Sequence, residues 1–125
     1  MSKNVTFPIA KLLKEKGFNE PCEDRFDENG IPTATKLGMH MHPNNYSDSY
    51  SAPLISDVVD WLLEKHSIWI FCDRTTTWFW TIQKSTGEYI HHEDQEPLTD
   101  EICKGFNSPK EAYLAAIEYT LTEII

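Results

Sequence analysis

All four tryptophans of the chain, Trp61, Trp69, Trp78 and Trp80, fall within twenty residues, with Phe71 and Phe79 between them. Side chains alternate between the two faces of a strand, so a period of two sorts these residues by face. Ser67 to Asp73 puts Ile68, Ile70 and Cys72 on one face and Trp69 and Phe71 on the other. Thr77 to Lys84 puts Trp78, Trp80 and Ile82 on one face and Thr77, Phe79, Thr81 and Gln83 on the other. Two such strands make an antiparallel pair that is bulky and apolar on both sides. If helices cover one face, either Trp69 and Phe71 or Ile68 and Ile70 must look away from them. This constrains the architecture more than any other segment does.

The flanking residues supply the helices. From Pro53, a preferred first-turn residue, Leu54, Ile55, Val58, Val59, Leu62 and Leu63 form an apolar stripe at helical spacing. Ser85-Thr86-Gly87 makes a turn into a third, more polar strand, Glu88 to His92. Leu98 to Gly105 is irregular. The last helix opens on Ser108-Pro109-Lys110-Glu111, a capping box, and its inward face is Ala112, Tyr113, Ala116, Ile117, Thr120, Leu121 and Ile124. At the other end, Phe7 to Lys16 reads as a short helix that Thr6 can cap. Gly17 suits a left-handed ending, and Phe18 can fold back onto Leu13. Cys22 to Thr35, centred on Asn29-Gly30, predicts a hairpin with a type I′ turn, and Pro32 places it at a sheet edge. Gly38 to Pro53 is a loop by composition. The expected class is α+β: an N-terminal helix and β-hairpin, then helix–three antiparallel strands–helix. The expected organisation is one domain, with residues 1–37, 38–53 and 54–125 as helix plus hairpin, loop and main block.

Charge and composition exclude several functions. The chain has 125 residues and a formal net charge of −9, set by 20 Asp plus Glu against 11 Lys plus Arg. That balance opposes broad contact with a phosphate backbone, so no nucleic-acid partner is expected. No apolar run approaches the roughly 20 residues of a membrane helix. Met1-Ser2-Lys3-Asn4-Val5-Thr6 lacks the apolar core of a secretion signal. Cys22, Cys72 and Cys103 are odd in number and far apart, which suits neither a disulfide framework nor a metal knuckle. The expectation is a soluble, cytoplasmic protein without a cofactor.

Three groups of residues invite a functional reading. Trp69, Phe71, Trp78 and Trp80 offer surplus aromatic area for a protein partner or for a second copy of the chain. The run from Glu88 to Glu101, which includes Glu93, Asp94 and Glu96 and no Lys or Arg, could engage a partner or imitate a nucleic-acid backbone towards a basic site. His40 and His42 with His91 and His92 could ligate a metal if the fold brought the segments together. His66 with Cys72 is the nearest approach to a base and a thiol nucleophile. No G-x-S-x-G, H-E-x-x-H or phosphate-cradling loop is present, and catalysis is not expected.

Several segments carry a resemblance: Ala10-Lys11-Leu12-Leu13-Lys14-Glu15-Lys16-Gly17-Phe18, Asp27-Glu28-Asn29-Gly30, Ser51-Ala52-Pro53, Trp61 to His66, Trp80-Thr81-Ile82-Gln83, and Ser108 to Tyr113 through Ala116-Ile117-Glu118. In these the chain resembles small uncharacterised phage- and prophage-type proteins of Bacteroides-like bacteria. The resemblance implies an accessory protein of a mobile element and assigns no activity. In topology, helix–three strands–helix is similar to double-stranded-RNA-binding domains and HicB-like antitoxin domains. The former hold phosphate with lysines at the start of the last helix. Here Pro109 and Tyr113 stand at such positions and only Lys110 remains.

Overall fold

The computed structural model describes residues 3–34, 42–74, 78–84, 89–92 and 106–125. It is a mixed α+β fold of α-helices and two small antiparallel sheets. The backbone groups into two compact units, Met1–Ile55 with Thr120–Ile125, and Ser56–Tyr119.

In the first unit, α1 (Phe7–Glu15) buries Ile9, Ala10 and Leu13, the helical-spacing stripe of the sequence. Thr6 stands in extended conformation at the N-cap, but its side chain makes no capping hydrogen bond, contrary to expectation. The C-terminal end follows the sequence closely. Gly17 takes φ +86°, its N–H donates to Lys14 O at 3.3 Å, and the Phe18 N–H donates to Leu13 O at 3.0 Å. Phe18 and Leu13 are both buried, completing a Schellman ending.

Strands β1 (Asp24–Asp27) and β2 (Pro32–Ala34) form the expected hairpin, with a different turn. A type I′ turn needs positive φ at both central residues, whereas Gly30 has φ +81° and Asn29 does not have positive φ. The Gly30 N–H donates to Asp27 O and the Asp27 N–H to Ile31 O, both at 3.0 Å. This is a three-residue loop ending in a left-handed glycine bulge. The Asp27 side chain explains the choice, because its Oδ1 accepts the N–H groups of Asn29 at 2.8 Å and Ile31 at 2.9 Å.

The segment read as a loop, 38–53, contains β3 (Ser49–Ser51), which pairs antiparallel with β1 and gives the order β2-β1-β3. A 3-10 turn at Pro43–Asn45 precedes it. Side chains hold this segment in place. Asn44 Nδ2 donates to Phe18 O at 2.7 Å, and Asn44 Oδ1 accepts the Ser51 N–H at 2.8 Å. Lys14 Nζ donates to Tyr46 O and, at 2.7 Å, to Ser49 O, while lying 4.7 Å from the Tyr50 ring centroid. One face of this sheet carries Phe26 and Tyr50, whose rings meet Phe7 of α1 at 5.4 and 5.3 Å. Thr120–Ile124 winds as a π-helix, and Lys16 Nζ donates to Ile125 O at 2.9 Å.

The second unit opens inside α2 (Ile55–His66), whose buried residues are Val58, Trp61 and Leu62. Leu54 and Leu63 of the expected stripe are 42% and 40% exposed, so the stripe is rotated towards Trp61. Ser67, at φ 56°, ends the helix in the left-handed region. Strands β4 (Ile68–Arg74), β5 (Trp78–Lys84) and β6 (Tyr89–His92) follow in the order β4-β5-β6, with a register shift at Ile82/Gln83. Helix α3 (Pro109–Tyr119) packs on β4 and β5. The Ser108 cap forms as expected, its Oγ accepting the Glu111 N–H at 3.2 Å, while the Glu111 carboxylate reaches back one residue further than a capping box requires, to the Asn107 N–H at 3.1 Å. Among the described residues, no helix is long and apolar enough to cross a membrane.

Candidate docking face

The β4–β5 register sorts the aromatic residues. Ile70 lies opposite Ile82 and Cys72 opposite Trp80, so these four share a face. Ile68, Ile70, Trp80 and Ile82 are all buried there, and the Trp80 ring lies 5.5 Å from that of Tyr119 on α3. Trp80 therefore belongs to the core, which takes it out of the expected docking set. Its phase explains this: Trp80 is in step with Ile82, and antiparallel pairing places both against the isoleucines of β4.

The opposite phase of β4 points away from that core. Trp69 stands opposite Gln83 and Phe71 opposite Thr81. Trp69 is 44% exposed, and its ring lies 5.1 Å from that of Phe71 at a tilt of 43°. Thr81, on the same face, is buried at 2%, so the exposure at Trp69 belongs to the β4 strand. Half of an indole in water is a large apolar exposure for a strand residue. Trp78 stands opposite Arg74 in the ladder. Glu93, Asp94 and Glu96 lie outside the described residues.

Behind the core face, Tyr113 of α3 approaches Cys72. Burial raises the Tyr113 phenol above its ordinary value of 10.0, and the neighbouring thiol pushes in the same direction, while a backbone hydrogen bond with Cys72 works against them.

Of the histidines expected to ligate metal, His42 is described in the first unit, and His91 and His92 by their backbone on β6. His42 Nδ1 lies 3.0 Å from Asn19 O. A carbonyl only accepts, so Nδ1 carries a proton and Nε2 is the nitrogen left for other partners. His91 and His92 lie on β6, opposite Ile82 and Thr81. His40 lies outside the described residues. Among those described, no three His, Cys, Asp or Glu side chains form a group that could hold a metal ion. The His66 ring, considered as a base for Cys72, packs edge-on against Trp61 at 4.8 Å.

The sequence missed two features of this chain. Trp61 counts among the clustered tryptophans of the sequence, yet its spacing from Val58 places it on the buried stripe of α2. Strand β3 is three residues long and two of them are serine, so no apolar alternation marks it. No family model, curated protein or solved structure matches the chain.

Proposed function

We propose that this chain acts by binding another protein, with the Trp69–Phe71 side of the β4–β5–β6 sheet as its docking surface and without a catalytic step. The supporting observation is the half-exposed Trp69 ring lying beside Phe71 at the edge strand of the sheet. Aromatic residues of this kind dominate binding energy because they bury a large area and lose little rotamer freedom. An edge strand also offers unpaired backbone groups, so a second copy of the chain is a natural first occupant. The wider setting, an accessory protein of a phage or other mobile element acting in the cytoplasm, rests on the sequence resemblance alone.

The test compares the wild-type chain with Trp69→Ser, a substitution at a half-exposed position that leaves the core face intact. Light scattering across a concentration series should show self-association of the wild type that weakens at least about tenfold in the variant. Where the wild type is monomeric, a partner captured from the host and then purified should bind the wild type and not the variant. Equal behaviour of the two proteins in both measurements refutes the reading.

A further inference from the structure

The face of the β2-β1-β3 sheet opposite Phe26 and Tyr50 carries Arg25, Asp27, Ser49 and Ser51. Arg25 is directly across the ladder from Ser51, and Asp27 from Ser49. The Ala52 N–H donates to Asp24 O, and the Ser51 N–H turns outward to Asn44 Oδ1. Arg25 and Ser51 are thus a non-hydrogen-bonded pair, the kind in which opposed side chains stand closest. Arg25 is half-buried, and its one partner among the described residues is Ser49 Oγ, 3.2 Å from Nη1. A guanidinium has five N–H donors, so most of this one's have no partner among the described residues. Ser51 is wholly buried, yet among the described residues its hydroxyl has no hydrogen-bond partner. A buried hydroxyl left in this state is destabilising.

We infer that Arg25, Ser49 and Ser51 form a binding point for a carboxylate. One carboxylate accepts from the guanidinium fork and from a serine hydroxyl at once, which gives the buried Ser51 hydroxyl a partner. To admit it, Arg25 Nη1 exchanges Ser49 Oγ for a carboxylate oxygen, which opens the approach to Ser51. A singly charged group suits the chain better than a phosphate dianion, because the formal net charge is −9 and Arg25 is a single cation. Asp27 shares the face and opposes any anion, but its Oδ1 is directed to the N–H groups of Asn29 and Ile31. The inference does not depend on the Trp69 surface.

The experiment titrates the full chain with sodium acetate against sodium chloride at equal ionic strength, following the Arg25 side-chain and Ser51 amide resonances by NMR. Acetate should shift both saturably and chloride should not. Arg25→Gln should weaken acetate binding by about tenfold or more. Ser51→Ala should raise the melting temperature without acetate, since it deletes the unpartnered hydroxyl, and should gain less when acetate is added. A short peptide, acetyl-dialanine, is compared as free acid and as amide. Binding of the free acid at the strength of acetate identifies the carboxylate group alone as the ligand; tighter binding identifies a chain terminus. No difference between acetate and chloride, or an Arg25→Gln chain that binds acetate as well as the wild type, overturns the inference.

Discussion

Gly30→Ala should destabilise the first unit clearly more than Gly17→Ala, its internal control. Both glycines are left-handed, at φ +81° and +86°. An alanine in either place carries the same backbone penalty, about 1–2 kcal/mol, because Cβ crowds the following carbonyl. Restricting the unfolded chain returns part of that. The surroundings differ. At Gly17 a built Cβ meets nothing within 4 Å, whereas at Gly30 it lies 2.6 Å from Phe7 Cδ2 and 2.9 Å from Cε2. The Phe7 ring has little room to retreat, since Phe26 and Tyr50 flank it and Lys11 Nζ lies 5.2 Å from its centroid. Overpacking of this kind adds about 1–3 kcal/mol. Urea unfolding should therefore give a loss near 1 kcal/mol for Gly17→Ala and about 2–4 kcal/mol for Gly30→Ala. In a Phe7→Leu background the difference between the two should shrink, which isolates the ring contact by a double-mutant cycle. Equal losses for the two alanines in the wild-type background would refute the steric argument.

Ser67→Gly should stabilise the chain by about 0.5–1 kcal/mol in thermal or urea unfolding, because a glycine occupies the left-handed end of α2 without the Cβ penalty. Lys14→Met keeps the stem of the side chain but removes the donors to Tyr46 O and Ser49 O, and should cost about 1–3 kcal/mol while increasing amide exchange at Ser49–Ser51. The raised Tyr113 value predicts an alkaline effect. The folded state holds the phenolic proton more tightly than the unfolded state, so this stabilisation is complete below pH 10 and is lost as pH rises through the folded value. Tyr113→Phe should flatten that alkaline limb in a pH series of melting temperatures, and an unchanged limb would refute the assignment.

The parts of the fold that were legible in the sequence are those where one local cause decides the outcome. The Schellman ending at Gly17 and the Ser108 cap need only a few neighbouring residues, and both formed as read. The β4–β5 ladder was legible because alternation and pairing agree over seven residues on each strand. Failures came where a second group competed with the local signal. Asn29-Gly30 favours a type I′ turn, but the Asp27 carboxylate takes two amides of the loop and selects the bulged form instead. The tryptophan cluster puts Trp80 among the expected docking aromatics, yet its pairing opposite Cys72 fixes it beneath α3, while Trp69, one register position out of phase with Ile68 and Ile70, keeps nearly half of its area in water. Period two therefore assigns the faces, and only the placement of α3 decides which one is covered. That makes the Trp69 face a consequence of α3 docking: a variant that loosened α3, such as Ala116→Asp, should expose Trp80 as well and shift the tryptophan emission to the red, whereas Trp69→Ser should remove a solvent-exposed part of that emission and leave the Trp61 and Trp80 core signal in place.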